Sequence, residues 1–182
     1  MMPLVRGKNI RILFDEAAIA KRNKTLAVEI ANAGYEKLLV IMILKGSFVF
    51  AADLVRALHH AGLEPYVECM SLSSYGASQQ SDGTVTVLRD IEEDVSGRDV
   101  LLVDDILESG RTLKFARDLM LERGANRADC VALLDKPRKR IADLEASFTG
   151  FECPDAFVVG YGMDSAHAFR ELPYVGVVED EA

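Results

Sequence analysis

The chain has 182 residues, of which 49% are hydrophobic and 27% are charged, a balance typical of one globular domain and unlike that of a disordered protein. Its longest apolar run, Leu38 to Leu44, is too short to cross a bilayer, which takes about 20 residues. The net charge of −8 disfavours binding to nucleic acid through bulk electrostatics, so phosphates on a ligand must be met by local groups.

The first half of the chain alternates between short β-branched runs and amphipathic stretches. Asp15 is positioned to cap a helix over Glu16 to Asn32, and Gly34 stands just past its end. Apolar residues then recur at helical spacing from Phe48 to Leu58, and Gly62 follows as a stop signal. Strands are predicted in this half at Ile10 to Phe14, Leu38 to Leu44 and Tyr66 to Leu72.

The second half opens with a polar stretch and returns to the same alternation. The small polar residues from Ser73 to Gly83 show no periodicity and predict a mobile loop. Thr84 to Arg89 alternates between two faces, which is typical of an antiparallel hairpin arm. A helix is expected over Thr112 to Arg123, ended by Gly124. Further strands are predicted at Val100 to Val103, Ala128 to Leu134, Ala156 to Val159 and Tyr174 to Val178.

This alternation of strands and helices predicts an α/β fold in which a mostly parallel central sheet is flanked by helices. We expect a single domain over residues 1–182. Ligands of such sheets bind beyond the carboxyl ends of the strands. The loops that follow the central strands are therefore the segments to inspect: Lys45 to Ser47, Asp104 to Thr112, Asp135 to Lys139 and Gly160 to Asp164.

The segment from Val100 to Thr112 carries the strongest chemical signal in the chain. An apolar strand leads into Asp104 and Asp105, and then into a turn of small residues that opens a helix. Backbone amides at a helix N-terminus bind phosphate well, and the hydroxyls of Ser109 and Thr112 add donors. The two carboxylates suit ribose hydroxyls or a hydrated Mg²⁺ ion. The alternative is a solvated strand end followed by a capped helix.

This segment resembles the ribose-phosphate-binding loop of the type I phosphoribosyltransferases. Four further segments occur in the order and spacing of one branch, the hypoxanthine-guanine phosphoribosyltransferases, and with it they reach from about Ile41 to the C-terminus. These four are Ile43 to Leu54, Ser73 to Gly76, Leu133 to Pro137 and Pro154 to Asp164. The resemblance implies a purine-salvage enzyme that transfers 5-phosphoribosyl from phosphoribosyl pyrophosphate to hypoxanthine or guanine. The products would be IMP or GMP and pyrophosphate.

The resemblance also implies how phosphoribosyl pyrophosphate is held. Asp104, Asp105 and Asp164 would bind Mg²⁺, and the first two would also contact the ribose. Lys45 and Gly46 would face pyrophosphate after a cis peptide between Leu44 and Lys45, and Arg170 would add positive charge there. Without the family, Lys45 is a strand-end lysine in water. The phosphate turn would comprise Ser109, Gly110, Arg111 and Thr112.

The purine site follows from the same resemblance. Lys136 would donate to the 6-oxo group of the base, Phe157 would stack on its ring, and Val158 would contact it through the backbone, with Asp164 alongside. The alternatives are a turn lysine before Pro137 and a core aromatic at a strand start. A small hood built from the chain termini would cover the base.

One site residue departs from the family. The aligned position of Glu108 is normally an aspartate that takes the N7 proton of the purine, and the glutamate carboxylate reaches about 1.5 Å further from the backbone. Ser109 stands where the family often has threonine. Ser74 and Tyr75 would lie on a loop that closes over the reacting centre and excludes water.

Two other classes of protein remain open from the sequence. One is a non-catalytic regulator on the same fold, against which the intact phosphate loop and the acidic charge weigh. The other is a receiver-like signalling module, although its acidic pair would lie near the first strand and not past mid-chain. Three cysteines without CxxC spacing indicate free thiols and a cytoplasmic location. The family generally forms homodimers or homotetramers.

Overall fold

The computed structural model describes residues 2–74 and 85–179. Over these residues the chain forms helices α1 (Glu16–Ala31), α2 (Phe48–His60) and α3 (Arg111–Glu122), and a 3-10 helix at Pro137–Lys139. The strands are β1 (Leu4–Val5), β2 (Lys8–Phe14), β3 (Leu39–Leu44), β4 (Tyr66–Ser74), β5 (Val85–Arg89), β6 (Asp99–Leu107), β7 (Arg127–Asp135), β8 (Phe148–Glu152), β9 (Val158–Val159) and β10 (Val175–Glu179).

The larger sheet has the strand order β5-β4-β3-β6-β7-β8. In this order, β4, β3, β6, β7 and β8 are parallel to one another. Strand β5, at the edge, is antiparallel to β4. Helix α2 connects β3 to β4, and α3 connects β6 to β7, so the sheet is built from crossover units. The predicted α/β class with a mostly parallel central sheet is confirmed.

The two faces of this sheet pack against different helices because successive side chains of a strand point to opposite sides. In β3, Val40 packs with the residues of α1 and α2, whereas Leu39 and Ile41 pack with those of α3. The neighbouring strands β6 and β7 divide their side chains between the same two clusters. The continuous apolar run of β3 therefore reflects burial on both faces, as predicted.

The helix-ending signals in the sequence have the expected structural roles. The Asp15 carboxylate caps α1 by accepting from the Ala18 amide at 2.8 Å, and α1 ends one residue before its predicted last residue, Asn32. Gly34 and Gly62 follow α1 and α2 with φ angles of +66° and +91°, a backbone conformation that glycine adopts without steric cost. None of the described helices is both long and apolar enough to cross a membrane.

Several predicted boundaries were wrong, most importantly that of β6. This strand does not stop at Val103 but continues through the acidic pair to Leu107, because its backbone stays paired with β7 as far as Asp135. Strand β4 likewise extends to Ser74, two residues into the predicted loop. The remainder of that loop, including Tyr75, lies outside the described residues. Strands β1 and β8 were not predicted from the sequence.

A smaller sheet with the order β1-β2-β10-β9 joins the two ends of the chain. Strand β10 pairs antiparallel with β2 through Val178 and Ile10, and with β9 through Val177 and Val158. Ile10 is fully buried there against residues of the segment between β9 and β10. The smaller sheet thereby holds β9, the strand predicted to contact the base, next to the larger sheet.

Candidate active site

Asp104 and Asp105 form a buried acidic pair at the carboxyl end of β6. Asp104 is 8% exposed and accepts a hydrogen bond from the Asp105 amide, while Asp105 accepts one from the Ile106 amide, at 3.0 and 2.9 Å. Burial raises the pKa of Asp104, and the charge of Asp105 raises it further; burial also raises the pKa of Asp105. A nearby cation would favour the ionised form of both side chains.

The acidic pair fits Mg²⁺ by the chemistry of its donors. Mg²⁺ prefers oxygen ligands and typically takes one or two carboxylates together with substrate oxygens and water. Within residues 2–74 and 85–179, no three carboxylate, histidine or cysteine side chains form a ready-made metal site. The predicted third carboxylate, Asp164, instead pairs with Arg170 at 2.7 Å.

The turn after β3 packs directly against this pair. The peptide between Leu44 and Lys45 is cis, as the resemblance predicted. A Cβ on Gly46 would lie 1.8 Å from the Asp105 carboxylate, so only glycine fits at that position. Gly162 is equally restricted, because a Cβ there would lie 2.2 Å from the Gly46 carbonyl oxygen. The carboxyl end of β6, the turn after β3 and the loop at 160–162 therefore meet at Gly46.

The predicted phosphate turn lies at the N-terminus of α3. Gly110 is the N-cap with a φ of +80°, and Arg111 begins the helix. The Ser109 carbonyl accepts from the amides of Ile141 and Ala142 at 3.0 and 2.9 Å, which anchors the turn to the following loop. The turn lines a cavity of ≈ 310 Å³ together with the acidic pair and the turn after β3: Lys45, Gly46, Asp104, Asp105, Glu108, Ser109, Gly110 and Thr112.

Lys136 stands in the turn before Pro137, as the alternative had it, but it is buried. Its side chain follows β7, and the residue is 6% exposed. The ammonium group donates to the Ala156 carbonyl at 2.8 Å and lies 3.4 Å from the Glu108 carboxylate. An ammonium group has three N–H donors. The partners found among the described residues take two of them, so one donor is left for a ligand.

Lys136 faces a second cavity, of ≈ 330 Å³, that adjoins the first through Asp105 and Glu108. Phe157 lines this cavity and is 64% exposed, which excludes the alternative that it is a core aromatic. Val158 also lines it and lies in β9, at the edge of the smaller sheet, so one side of its backbone has no strand neighbour among the described residues. Asp164 completes the wall.

Glu108 belongs to a chain of ion pairs that the sequence did not predict in full. Its carboxylate lies 3.4 Å from the ammonium groups of both Lys136 and Lys139, and Lys139 also binds Asp155 at 2.7 Å. The 3-10 helix at 137–139 brings positions three residues apart onto one side, so Lys136 and Lys139 converge. The three-residue spacing of Lys136 and Lys139 across Pro137 is the sequence signal that could have predicted these ion pairs.

Arg170 contacts the loop that follows β9, at residues 160–164. It donates to the Gly162 carbonyl at 2.6 Å and pairs with Asp164, a predicted site residue, so its guanidinium joins two residues of this loop. Its positive charge opposes the rise in the pKa of Asp105, which means that it also acts on the acidic pair. Of the two predicted loop residues, Ser74 ends β4, and Tyr75 is not among the residues described.

Comparison with known proteins identifies relatives over nearly the whole chain. Residues 10–166 match the family model of the phosphoribosyl transferase domain. The hypoxanthine-guanine phosphoribosyltransferase of Aquifex aeolicus is 42% identical over 98% of this chain and 100% of its own, and that of Bacillus subtilis is 42% identical over 93% of each.

Solved structures agree with these sequence relatives. A hypoxanthine phosphoribosyltransferase from Staphylococcus aureus superposes with a TM-score of 0.86 at 37% identity, covering 93% of this chain and 91% of that one. One from Trypanosoma cruzi superposes with a TM-score of 0.87 at 36% identity, again covering 93% and 91%.

Replacing Asp104 by Asn should stabilise the free protein at neutral pH. The pKa of Asp104 is raised above that of an unfolded carboxyl group, so between the two pKa values the folded state keeps a proton that the unfolded state has lost. The free energy of unfolding therefore falls as the pH rises from the unfolded pKa to the folded pKa. Asp104→Asn should therefore raise the melting temperature at about pH 8 and lose this advantage near about pH 4.

Scanning calorimetry across this pH range measures the difference. Asp118→Asn is the control, because Lys114 lowers the pKa of that exposed carboxyl group, and its replacement should destabilise the protein at neutral pH. An Asp104→Asn advantage that stays the same from about pH 4 to about pH 8 contradicts the prediction.

Proposed function

The chain belongs to the phosphoribosyltransferase family, and we propose that it transfers the 5-phosphoribosyl group of phosphoribosyl pyrophosphate to hypoxanthine or guanine. The reaction gives IMP or GMP and pyrophosphate and serves purine salvage. The observation that carries the choice of base is Lys136, an almost fully buried ammonium group that faces a cavity beside the exposed ring of Phe157.

Recognition of the base follows from hydrogen-bonding polarity. The remaining N–H of Lys136 donates to the 6-oxo oxygen of the purine, whereas a 6-amino group would present a donor to a donor. Phe157 offers an exposed aromatic face for the ring to stack on. The backbone of Val158, at the sheet edge, reads the remaining edge of the base, and Asp164 lies on the same cavity wall.

The other cavity holds phosphoribosyl pyrophosphate. The 5-phosphate binds the turn of Ser109 to Thr112 at the N-terminus of helix α3, where the N-cap residue Gly110 offers no side-chain acceptor to the first backbone amides. Lys45 and the Gly46 amide bind pyrophosphate, and Arg170 adds positive charge nearby. Asp104 and Asp105 would hold the ribose hydroxyls and Mg²⁺, and Asp164, which pairs with Arg170 in the free protein, would be a further ligand. The metal ion, when bound, offsets the negative charge of the leaving pyrophosphate.

The reaction places new charge beside the acidic pair and Glu108. As the bond from the ribose C1 to pyrophosphate breaks, positive charge builds on the ribose, and N9 of the purine forms the new bond to C1. The N7 proton passes to the Glu108 carboxylate, which Lys136 and Lys139 hold by ion pairs. Closure of the segment that carries Ser74 and Tyr75 excludes water during this step.

We also propose an oligomeric enzyme of the cytoplasm, most simply a homodimer or homotetramer. Large apolar side chains are exposed on the helices of one face, with Val28 on α1 53% and Phe48 on α2 44% exposed, which suits burial between subunits. The work on the Trypanosoma cruzi relative concerns the oligomeric state of that protein. All three cysteines carry free thiols, which suits a reducing compartment.

A panel of bases tests the proposed substrates. With phosphoribosyl pyrophosphate and Mg²⁺, hypoxanthine and guanine should be converted, whereas adenine should react roughly 10⁴-fold more slowly because its 6-amino group faces Lys136. Ultraviolet absorbance of the nucleotide product is the measurement.

Lys136→Met should remove the discrimination between 6-oxo and 6-amino purines together with most of the activity. Arg138→Met, on the 3-10 helix that follows Lys136, is the matched control and should behave as wild type. Equal rates on adenine and hypoxanthine exclude the assignment.

Activity should require a divalent metal ion. Without one, the pyrophosphate of the substrate meets the buried carboxylates of Asp104 and Asp105, and like charges repel at short range. Exhaustive chelation should therefore abolish turnover, and added Mg²⁺ should restore it. Thermal unfolding in the same buffers serves as the control, since chelation should leave the fold intact. Full activity in a metal-free assay contradicts this prediction.

Glu108→Gln separates the proton-transfer role of this residue from its shape. The variant should lower the maximal rate by about 10²-fold or more while leaving the Michaelis constants close to wild type. Glu108→Asp should also be impaired, because a carboxylate set back by about 1.5 Å no longer reaches Lys136 and Lys139.

Single-turnover kinetics on both variants measure these effects. Glu122→Gln at the end of α3 is the matched control for loss of one carboxylate. If Glu108→Gln retains the wild-type maximal rate, Glu108 is not the base, and a water or another carboxylate such as Asp105 takes the N7 proton.

A further inference from the structure

A buried trio of polar side chains connects the loop after β9 to both helices on one face of the larger sheet. Tyr161 is 5% exposed, and its hydroxyl donates to the Asp53 carboxylate of α2 at 2.6 Å. The same hydroxyl accepts from the side-chain amide of Asn23 on α1 at 2.9 Å, and Asn23 is 3% exposed. We call Asn23, Asp53 and Tyr161 the polar trio.

The backbone around Tyr161 adopts conformations that a side chain normally disfavours. Gly160, Tyr161 and Gly162 have consecutive positive φ angles of +96°, +50° and +101°. Glycine tolerates this region, but tyrosine does so only where its surroundings hold it. The Tyr161 amide donates to the Leu172 carbonyl at 2.8 Å, and its hydroxyl is fixed by the polar trio, so both ends of the residue are held.

Tyr161 is next to a contact that holds the turn after β3. We call this turn, Lys45 to Ser47, the pyrophosphate turn, because Lys45 and Gly46 are proposed to bind pyrophosphate. Gly162 packs so closely on the Gly46 carbonyl that a Cβ would lie 2.2 Å from it. Asp53 lies on α2, the helix that begins directly after the same turn, at Phe48. The polar trio therefore joins the two segments that enclose Gly46, the loop at 160–162 and the start of α2.

We propose that Tyr161 is a positioning residue for phosphoribosyl transfer: its hydroxyl, held between Asn23 and Asp53, keeps Gly162 against Gly46 and so sets the shape of the pyrophosphate turn. This inference rests on the proposed function. Burial raises the pKa of Tyr161 well above its ordinary value, and the neighbouring Asp53 carboxylate raises it further. The hydroxyl therefore remains protonated and remains a donor at neutral pH.

Tyr161→Phe tests the proposal, because it removes only the hydroxyl. We expect the Michaelis constant for phosphoribosyl pyrophosphate to rise about tenfold, and that for the purine to change much less, because a small misplacement of a binding loop weakens the groups that it carries. Binding of magnesium pyrophosphate, measured by calorimetry without any turnover, should weaken by a similar factor.

Tyr35→Phe is the matched control. Its hydroxyl also donates to a carboxylate, Asp129 at 2.7 Å, but this pair lies at the opposite end of the sheet, where β7 begins. Both variants lose one tyrosine–aspartate hydrogen bond, so both should lower the melting temperature by roughly 2–4 °C. Only Tyr161→Phe should change the Michaelis constant and the pyrophosphate affinity.

Variants of Asp53 provide a second measurement that does not depend on Tyr161→Phe folding well. Asp53→Asn keeps an oxygen acceptor for the tyrosine hydroxyl and should bind pyrophosphate like the wild type, whereas Asp53→Ala should reproduce the tenfold loss. The double variant Asp53→Ala with Tyr161→Phe should lose no more than either single variant, because both remove the same interaction.

The possible outcomes are distinct. Tyr161→Phe with wild-type pyrophosphate affinity and only a lowered melting temperature would show a purely structural role and overturn the proposal. Equal pyrophosphate affinity in Asp53→Asn and Asp53→Ala would do the same. Failure of the wild-type protein to convert any 6-oxopurine would instead reject the proposed function, while the calorimetric arm still tests the polar trio.

Discussion

The close approach of one strand end and two loops at Gly46 is the steric constraint on which the candidate site depends. The Asp105 carboxylate occupies the space that a side chain at position 46 would need, and Gly162 approaches the Gly46 carbonyl from the other direction. The acidic end of β6, the turn after β3 and the base-facing loop can meet only because two of the three contribute no side chain. The two cavities share Asp105 and Glu108, so a base and a ribose bound in them as proposed would lie side by side.

The strands supply the rigidity that this contact requires. Because β6 stays paired with β7 through Leu107, the acidic pair lies on a strand and not on a loop, and its distance from Lys136 at the end of β7 is set by the ladder. Groups held on strands keep their relative positions better than groups on loops. The same ladder brings Glu108 within reach of Lys136 and Lys139, and both ammonium groups hold its carboxylate. The resemblance to the family implies an aspartate at this position, whose side chain is shorter.

The sequence predicted best the features that local signals determine. The cap at Asp15 and the apolar run of β3 are encoded by residues next to each other, so fold class and element order followed. The burial of Lys136 is not encoded locally, because its acceptor is the Ala156 carbonyl, twenty residues along the chain. Strand β8 was missed since Gly150 weakens its strand pattern. That glycine is needed because a Cβ there would lie 2.3 Å from the Leu133 carbonyl of β7.

The smaller sheet affects the order in which the two adjoining cavities can form during synthesis. The acidic pair, the phosphate turn and β7 are complete once about three-quarters of the chain has emerged from the ribosome. Strand β9, in contrast, pairs in the smaller sheet with β10, residues 175–179, which is its one strand partner among the described residues, and β10 in turn pairs with β2 near the start of the chain. The turn proposed to bind phosphate can therefore fold before the strand proposed to contact the base, which is completed when β10 pairs with β2.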